Sequence, residues 1–441
     1  MTIIDLGEVT EEAVAPSVPV NIPQLRRLAL ALLSVAGVLV LAGAAPAAST
    51  GVRQLWSTPL RQGESWSLSA DTVYLTRLDD KVSAYNLTTG ELRWSVPAGA
   101  ELGDPRPRLV GDLLLVPADP VMISQEEADG SRYYYETVRT TIALDAATGE
   151  ERWRVSGEAY ASGESGTLLI SDHDEQARTT RLRLIRLTDG GEVWNRPVPA
   201  APSWTPIRND GRIVAIAVAT EGGLLSVYDY ADGQLRRSTR FSSATTSKRS
   251  VTLMPAGSYL VVMRDLPVGS ETAVYDAEDL RRLWYTTQST AYVTACGDGL
   301  CDIGGGAIVG RLPRTGKEVW TLAGMRDMTL LGHDRMIVTG DAVTGDNYLA
   351  DPVTGTTIGA PIVGRMVYPQ DSGDMPMFLR PAVEPPGRLA LVAVNPADGT
   401  QRTLGTVPPL AAEDVCITTS GYLACVRTGA QGMALDITAV G

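Results

Sequence analysis

Beyond about residue 50 the chain is written in short runs that alternate apolar and polar residues or are apolar throughout. Thr72–Thr76, Asp112–Val116, Thr167–Ser171, Arg212–Val218 and Ser258–Met263 are examples. Alternation with period two sends successive side chains to opposite faces of a strand, and a wholly apolar run suits a strand covered on both faces. No helix of any length is suggested in this region. The pattern predicts an all-β body.

A repeat organises the runs. Its core is an apolar strand, an Asp or Asn, a turn with Thr-Gly or Asp-Gly, and a second strand ending in Trp. The clearest copies are AYNLTTGELRW (84–94), ALDAATGEERW (143–153), LIRLTDGGEVW (184–194) and VYDYADGQLRR (227–237). Weaker ones are VYDAEDLRRLW (274–284), GRLPRTGKEVW (310–320), LADPVTGTTIG (349–359) and AVNPADGTQRT (393–403). The turn residue is Gly90, Gly149, Gly190, Gly233, Gly316, Gly355 and Gly399, with Leu280 in the fifth copy. Two further strand-like runs precede each turn, so each unit reads as four antiparallel strands, A to D. Four short strands every ~40 residues are the signature of a β-propeller, because a single blade cannot bury both of its faces and must stack on neighbours.

The tryptophans support this. Trp94, Trp153, Trp194, Trp284 and Trp320 each end a D strand. Trp56 looks like the end of a D strand with no A–C strands before it, and residues 413–437 supply A–C strands with no D strand after them. The economical reading is a ring closed by the N-terminal strand, which removes the open edges of an unclosed array. Eight turn units and a closing one give nine blades, against the more usual eight.

Composition narrows the function. A formal charge of −13 and a pI near 4.8 argue against binding a phosphate backbone, so no nucleic-acid partner is expected. Two His in the whole chain exclude a multi-His metal centre and leave little for His-based catalysis.

The N-terminus bears on the compartment. Residues 1–25 are polar and Pro-rich, and read as a disordered tail. Arg26 and Arg27 precede an uncharged run from Leu28 to Ala45, at the short end of what spans a bilayer. The arginines on its N-terminal side place the tail in the cytoplasm and the remainder outside. Ala45-Pro46-Ala47 resembles a small-residue cleavage site, so an export signal is the competing reading. The long acidic lead, unlike a short basic signal region, favours an anchor. Three parts are expected: a cytoplasmic tail (1–25), a transmembrane anchor or uncleaved signal (26–48), and an extracytoplasmic propeller (49–441).

The four Cys test that topology. With Asp298-Gly299 as a two-residue turn, Cys296 faces Cys301; with Ser420-Gly421 as a second, Cys416 faces Cys425. Both pairs then fall on non-hydrogen-bonded sites, where Cα atoms lie about 4.5 Å apart, within reach of a disulfide. Two cross-strand disulfides are expected, hence an oxidising compartment.

The Ala-x-Asp-x-x-Thr-Gly-Glu-x-x-Trp unit resembles the repeat of the pyrroloquinoline-quinone-like (quinoprotein-type) propeller superfamily, over about residues 52–441. That superfamily includes quinoprotein alcohol dehydrogenases and a lipoprotein propeller of outer-membrane assembly. The resemblance implies that the repeat Trp and Gly are structural, the Trp packing between neighbouring blades. It would also suggest the quinone PQQ, but the dehydrogenases carry a vicinal Cys-Cys disulfide and a calcium site, and this chain has no Cys-Cys dipeptide. No cofactor and no metal are expected.

Candidate binding residues lie in the variable connections. The longest, between strands B and C of blade 2 (118–138), carries Gln125-Glu126-Glu127 and Tyr133-Tyr134-Tyr135. Long loops are often functional and tyrosines suit recognition, but packing of alternate Tyr in a two-stranded extension of the blade is the stronger reading. The B–C connection of blade 3 holds Asp172-His173-Asp174-Glu175, which suits a cation or acid–base work but also an exposed acidic turn. Trp204 stands outside the repeat position near the inner strand of blade 4. The expected protein is a monomeric, single-pass propeller at the cell membrane that binds a protein or envelope component without catalysis. A quinone-dependent dehydrogenase and a signalling ectodomain are the alternatives.

Overall fold

A computed structural model describes residues 51–441 apart from 104–105, 127–131, 161–165, 242–250, 267–268, 289, 341–345, 370–374, 411–414, 420 and 430–431. The expected tail and membrane helix, and Glu127, lie outside the described residues. Among the described residues no helix is long and apolar enough to cross a membrane.

The 36 described strands group into nine sets of four. Blades 1 to 8 are continuous in sequence: 65–97, 108–156, 158–201, 203–240, 251–286, 292–323, 327–363 and 365–407. Blade 9 takes strands A to C from the C-terminus (416–440) and strand D from Val52–Leu60, which pairs antiparallel with Gly432–Val440. The count is therefore nine, and the strand bearing Trp56 closes the ring as the sequence suggests. Blades 8 and 9 are further joined by a short parallel pairing of their inner strands, Tyr368 with Ile417 and Pro369 with Thr418.

The core is distributed around the ring. Nine apolar clusters each span one pair of consecutive blades, and the ninth joins blade 9 (Ala424, Leu435, Ile437) to blade 1 (Trp66, Leu68, Val73, Leu75). This is why the strands read as nearly continuous apolar runs: both faces of every sheet are covered.

The C–D turns share one geometry. In all eight, the N–H of the turn residue donates to the carbonyl four positions earlier at 2.8–3.0 Å, as from Gly149 to Asp145. At the Asp or Asn copies the side chain also accepts from nearby backbone; Asp145 Oδ1 takes the N–H of Ala147 and Thr148. The turn residue has a left-handed φ of 58–77° throughout, which glycine adopts without steric cost. Glycine is needed for a second reason. A Cβ on Gly149 would stand 2.6 Å from the ring of Trp94 in the preceding blade. The same holds for Gly90 on Trp56, Gly190 on Trp153, Gly233 on Trp194, Gly316 on Trp284 and Gly355 on Trp320. Each indole thus lies flat on the next blade's turn. Five of them also donate Nε1–H to the carbonyl three residues before that turn residue, at 2.6–3.1 Å: Leu87, Ala146, Leu187, Tyr230 and Pro313.

Three interfaces lack the indole. Arg237 stands at the Trp position of blade 4 and faces Leu280, which replaces the turn glycine of blade 5. Gly359 takes the Trp position of blade 7 and packs backbone to backbone on Gly399. Blade 9 has no C–D turn to receive a residue from blade 8.

Both cystines form. Cys416 pairs directly with Cys425, as the register argument requires, with Cα atoms 4.1 Å apart. The Cys296–Cys301 hairpin corrects the expected register. Its turn is Gly297-Asp298, so Cys296 faces Gly299 and Cys301 faces Thr294. The bond runs diagonally, with Cα atoms 5.7 Å apart. It still closes because a slip of two positions leaves both side chains on the same sheet face, and the residue opposite Cys296 has no side chain to interfere.

Candidate functional site

The blade 2 B–C connection is the two-stranded extension that the sequence allowed, a β-hairpin arm. Strands B and C of that blade are Leu113–Glu126 and Arg132–Asp145, paired in one register from Leu113–Asp145 out to Glu126–Arg132. The β-branched and aromatic residues of VMIS and YYYETV carry the strands past the blade body. Asp119 marks the departure with a left-handed φ of 55°. There the arm is tied to its surroundings: Asp119 N–H donates to Glu101 O, and Arg139 O accepts from Gly157 N–H. Tyr133, Tyr134 and Tyr135 therefore belong to a strand, opposite Gln125, Ser124 and Ile123. Met122 and Tyr134 are exposed on one face, at 62% and 58%, while Ile123 and Tyr135 turn inward on the other.

The inward face meets blade 3, and this brings the two candidate stretches together. A cleft of about 310 Å³ is lined by Val121, Thr137, Val138 and Arg139 of the arm, by Ser156 and Gly157 where blade 2 passes into blade 3, and by Asp172, His173 and Asp174 of blade 3. Tyr135 lies close enough to Asp174 to sense it: burial raises the phenol pKa and the carboxylate charge adds to the rise. His173 is largely buried, and its Nδ1 has no hydrogen-bond partner. The nearest carboxylate is Glu158 Oε2 at 3.9 Å, which itself accepts from Thr137 Oγ1 at 3.3 Å. Burial lowers the imidazole pKa, against the opposing pull of Glu158, Asp172 and Asp174. The ring is neutral at pH 7.

Asp172 and Asp174 are committed to arginines. Asp174 Oδ2 accepts from Arg178 Nε and a terminal nitrogen at 2.9 and 2.7 Å, and its Oδ1 accepts from the backbone of Gln176 and Arg178. Burial raises the Asp174 pKa, but the Arg178 bonds outweigh it and the net shift is downward. Asp172 is held by Arg183 at 2.9 Å and Arg181 at 3.7 Å. The two aspartates that flank His173 are thus both engaged by arginines. The cleft offers hydroxyls, one neutral imidazole and a half-exposed glutamate, a set suited to polar recognition. Trp204 is not in it. It sits half-buried on strand Ser203–Asn209, edge-on to Tyr160 with centroids 5.4 Å apart, two positions along from Glu158 on the inner strand of blade 3.

Sequence reasoning missed Glu158, Thr137 and the arginine partners. The arginines were detectable: Thr179–Arg186 alternates so that Arg181 and Arg183 return alongside Asp172.

The residues do not fit the quinone. All four cysteines are used in cross-strand cystines, neither of them vicinal. Among the described residues no cluster of three or more His, Cys, Asp or Glu is placed to hold a metal.

Comparison with known proteins gives a family match. Residues 44–217 and 178–329 match the family model described as outer membrane protein assembly factor BamB. A search of the curated proteins gives no match. Among solved structures, BamB from Moraxella catarrhalis is 16% identical, with 88% of this chain and 99% of that one covered and a TM-score of 0.45. The quinohemoprotein alcohol dehydrogenase ADHIIG from Pseudomonas putida HK5 is 12% identical, covering 89% and 77%, with a TM-score of 0.42. A eukaryotic initiation factor is 10% identical, covering 80% and 91%, with a TM-score of 0.51, a likeness of fold alone.

Proposed function

The chain belongs to the PQQ-like propeller family of the outer membrane protein assembly factor BamB, and from that membership we propose that it is a non-catalytic protein-binding platform of the cell envelope. The observation that carries the reading is the blade 2 arm. It projects an exposed Met122 and Tyr134 on one face and, on the other, walls a cleft in which arginines neutralise Asp172 and Asp174. Such a surface suits polar recognition, with Asp172 and Asp174 held by arginines. The two cystines support an oxidising compartment. The apolar run 28–45 behind Arg26 and Arg27 supports a single-pass anchor with the ring on the extracytoplasmic side. We place the protein there as a monomer that meets a protein partner through the arm.

The test is crosslinking in the native envelope. Full-length protein is compared with a form in which Pro120 and Val138, neighbours across the arm, are joined by a two-residue turn. Capture of a partner by the intact protein and its loss on shortening the arm supports the reading. Equal capture by both forms overturns it. Dye-linked alcohol oxidation on addition of PQQ and calcium would overturn the non-catalytic part.

A further inference from the structure

The interface between blades 4 and 5 departs from the repeat on both sides. In each neighbouring blade the Trp sits across from a C-strand residue, Trp194 from Leu184 and Trp284 from Val274. In blade 4 the same register position, across from Val227, holds Arg237. The receiving turn carries buried Leu280 in place of glycine. Its Cβ stands where the turn glycines touch an indole face, so this seat cannot take an indole. The core behind it is sealed by leucine and the space in front is left open.

That space is a cavity of about 610 Å³ on the face of the A–B and C–D turns, opposite the face that bears the arm. Four arginines line it: Arg208, Arg236 and Arg237 from blade 4 and Arg314 from the turn of blade 6. Against them stand Asp276 and Glu278. Arg236 is held by Asp229 at 2.8 Å, and Arg208 donates to Gly211 O. Arg237 and Arg314 are exposed and have no ion pair or hydrogen bond to a described residue. Between the charges lie Ile207, Val214 and Tyr259. The carbonyl of Ala277, three residues before Leu280, is the one that would accept an indole N–H elsewhere in the ring; here it takes no donor from a described residue.

A cationic, partly apolar hollow on a chain of net charge −13 is a local reversal of the molecule's field. We infer that it is a second binding site, separate from the arm, and that it takes an acidic peptide segment of a partner protein. The carboxylates go to Arg237 and Arg314. An apolar side chain between them covers Ile207 and Tyr259, and a peptide N–H reaches Ala277 O. A bare phosphate would satisfy the arginines but not the apolar floor, so a peptide carrying both features is favoured.

The experiment uses full-length protein and a fluorescent peptide of alternating Glu and Leu, followed by anisotropy. Binding that weakens with salt, and by about tenfold in Arg237→Glu or Arg314→Glu but not in Arg402→Glu on exposed blade 8 surface, is the expected result. Arg237→Trp combined with Leu280→Gly, which rebuilds the indole seat and fills the hollow, abolishes peptide binding and leaves capture through the arm intact. The inference is overturned if the arginine variants bind the peptide as the parent does. It is equally overturned if inorganic phosphate or an all-Glu peptide binds as well as the Glu-Leu peptide, which would make the hollow a plain anion site.

Discussion

Six blade interfaces carry an indole laid on the next blade's turn glycine, and three do not. The six are nearly interchangeable: a flat ring, a residue without Cβ beneath it and, in five, a buried N–H bonded to a carbonyl. The other three each solve the same packing problem in a private way. Between blades 4 and 5 a leucine fills from the turn side. Between blades 7 and 8 two glycine backbones close the gap. Between blades 8 and 9 the inner strands pair and the Cys416–Cys425 cystine joins the shared core. The repeat is thus one solution among several to stacking twisted sheets, and the departures are where new surface is made.

The comparison can be broken most severely at an indole. Trp94→Ala should cost about 3–5 kcal/mol in urea unfolding, as expected for a buried aromatic that leaves a cavity and loses an indole hydrogen bond. A loss below about 1 kcal/mol would show that the seats are not structural. Next comes the private solution of blades 4 and 5. Leu280→Gly alone should cost about 2–4 kcal/mol. Adding Arg237→Trp should recover part of it, with a coupling of about 1–2 kcal/mol in a double-mutant cycle; strict additivity would mean that the two seats are not equivalent. At blades 8 and 9, Cys416→Ser with Cys425→Ser should cost about 2–3 kcal/mol, the loop-closure entropy of so short a ring. An unchanged urea midpoint would assign that interface to strand pairing alone.

The smallest effect expected is a pH dependence. Hydrogen bonds from Arg152 and from the turn backbone hold Asp145 at a pKa of about 2, below the ordinary carboxylate value. A depressed folded pKa means that its contribution is full above about pH 4 and is lost as the pH falls toward 2. Asp145→Asn should flatten that part of the acid-unfolding profile, and an identical profile would show that the turn does not depend on the charge.

Much of this architecture was legible because the repeat encodes it locally. A glycine with left-handed φ, an Asx carboxylate and a Trp four positions after the turn all lie within eleven residues. The closing strand was legible from Trp56 and the three unpartnered strands of residues 413–437, since an isolated D strand needs a blade to complete. The blade number stayed open between eight and nine, because blades 7 and 8 have lost the Trp that marks a unit. The arm read either as a loop or as a two-stranded extension, because Pro117 and Pro120 interrupt the run; its far end pairs in strict register. The diagonal cystine was misread by two residues because Gly297-Asp298 and Asp298-Gly299 are both acceptable turns and sheet parity cannot tell them apart. The cleft between arm and blade 3 depends on contacts between different blades, which no local pattern records.

The pairing of Val52–Leu60 with Gly432–Val440 also sets an order in time. The first strand of the body to be synthesised waits for the last. Until the final residues arrive, blade 9 has no partner for its outer strand, and blade 1 lacks the wall that Ala424, Leu435 and Ile437 supply. A chain emerging from its N-terminus can stack the middle blades as they appear, but it cannot shut. Through that interval it carries an open strand edge and a bare apolar sheet, the two features most prone to misassembly. The latch that makes the finished ring seamless also makes its nascent form the most vulnerable stage of its life.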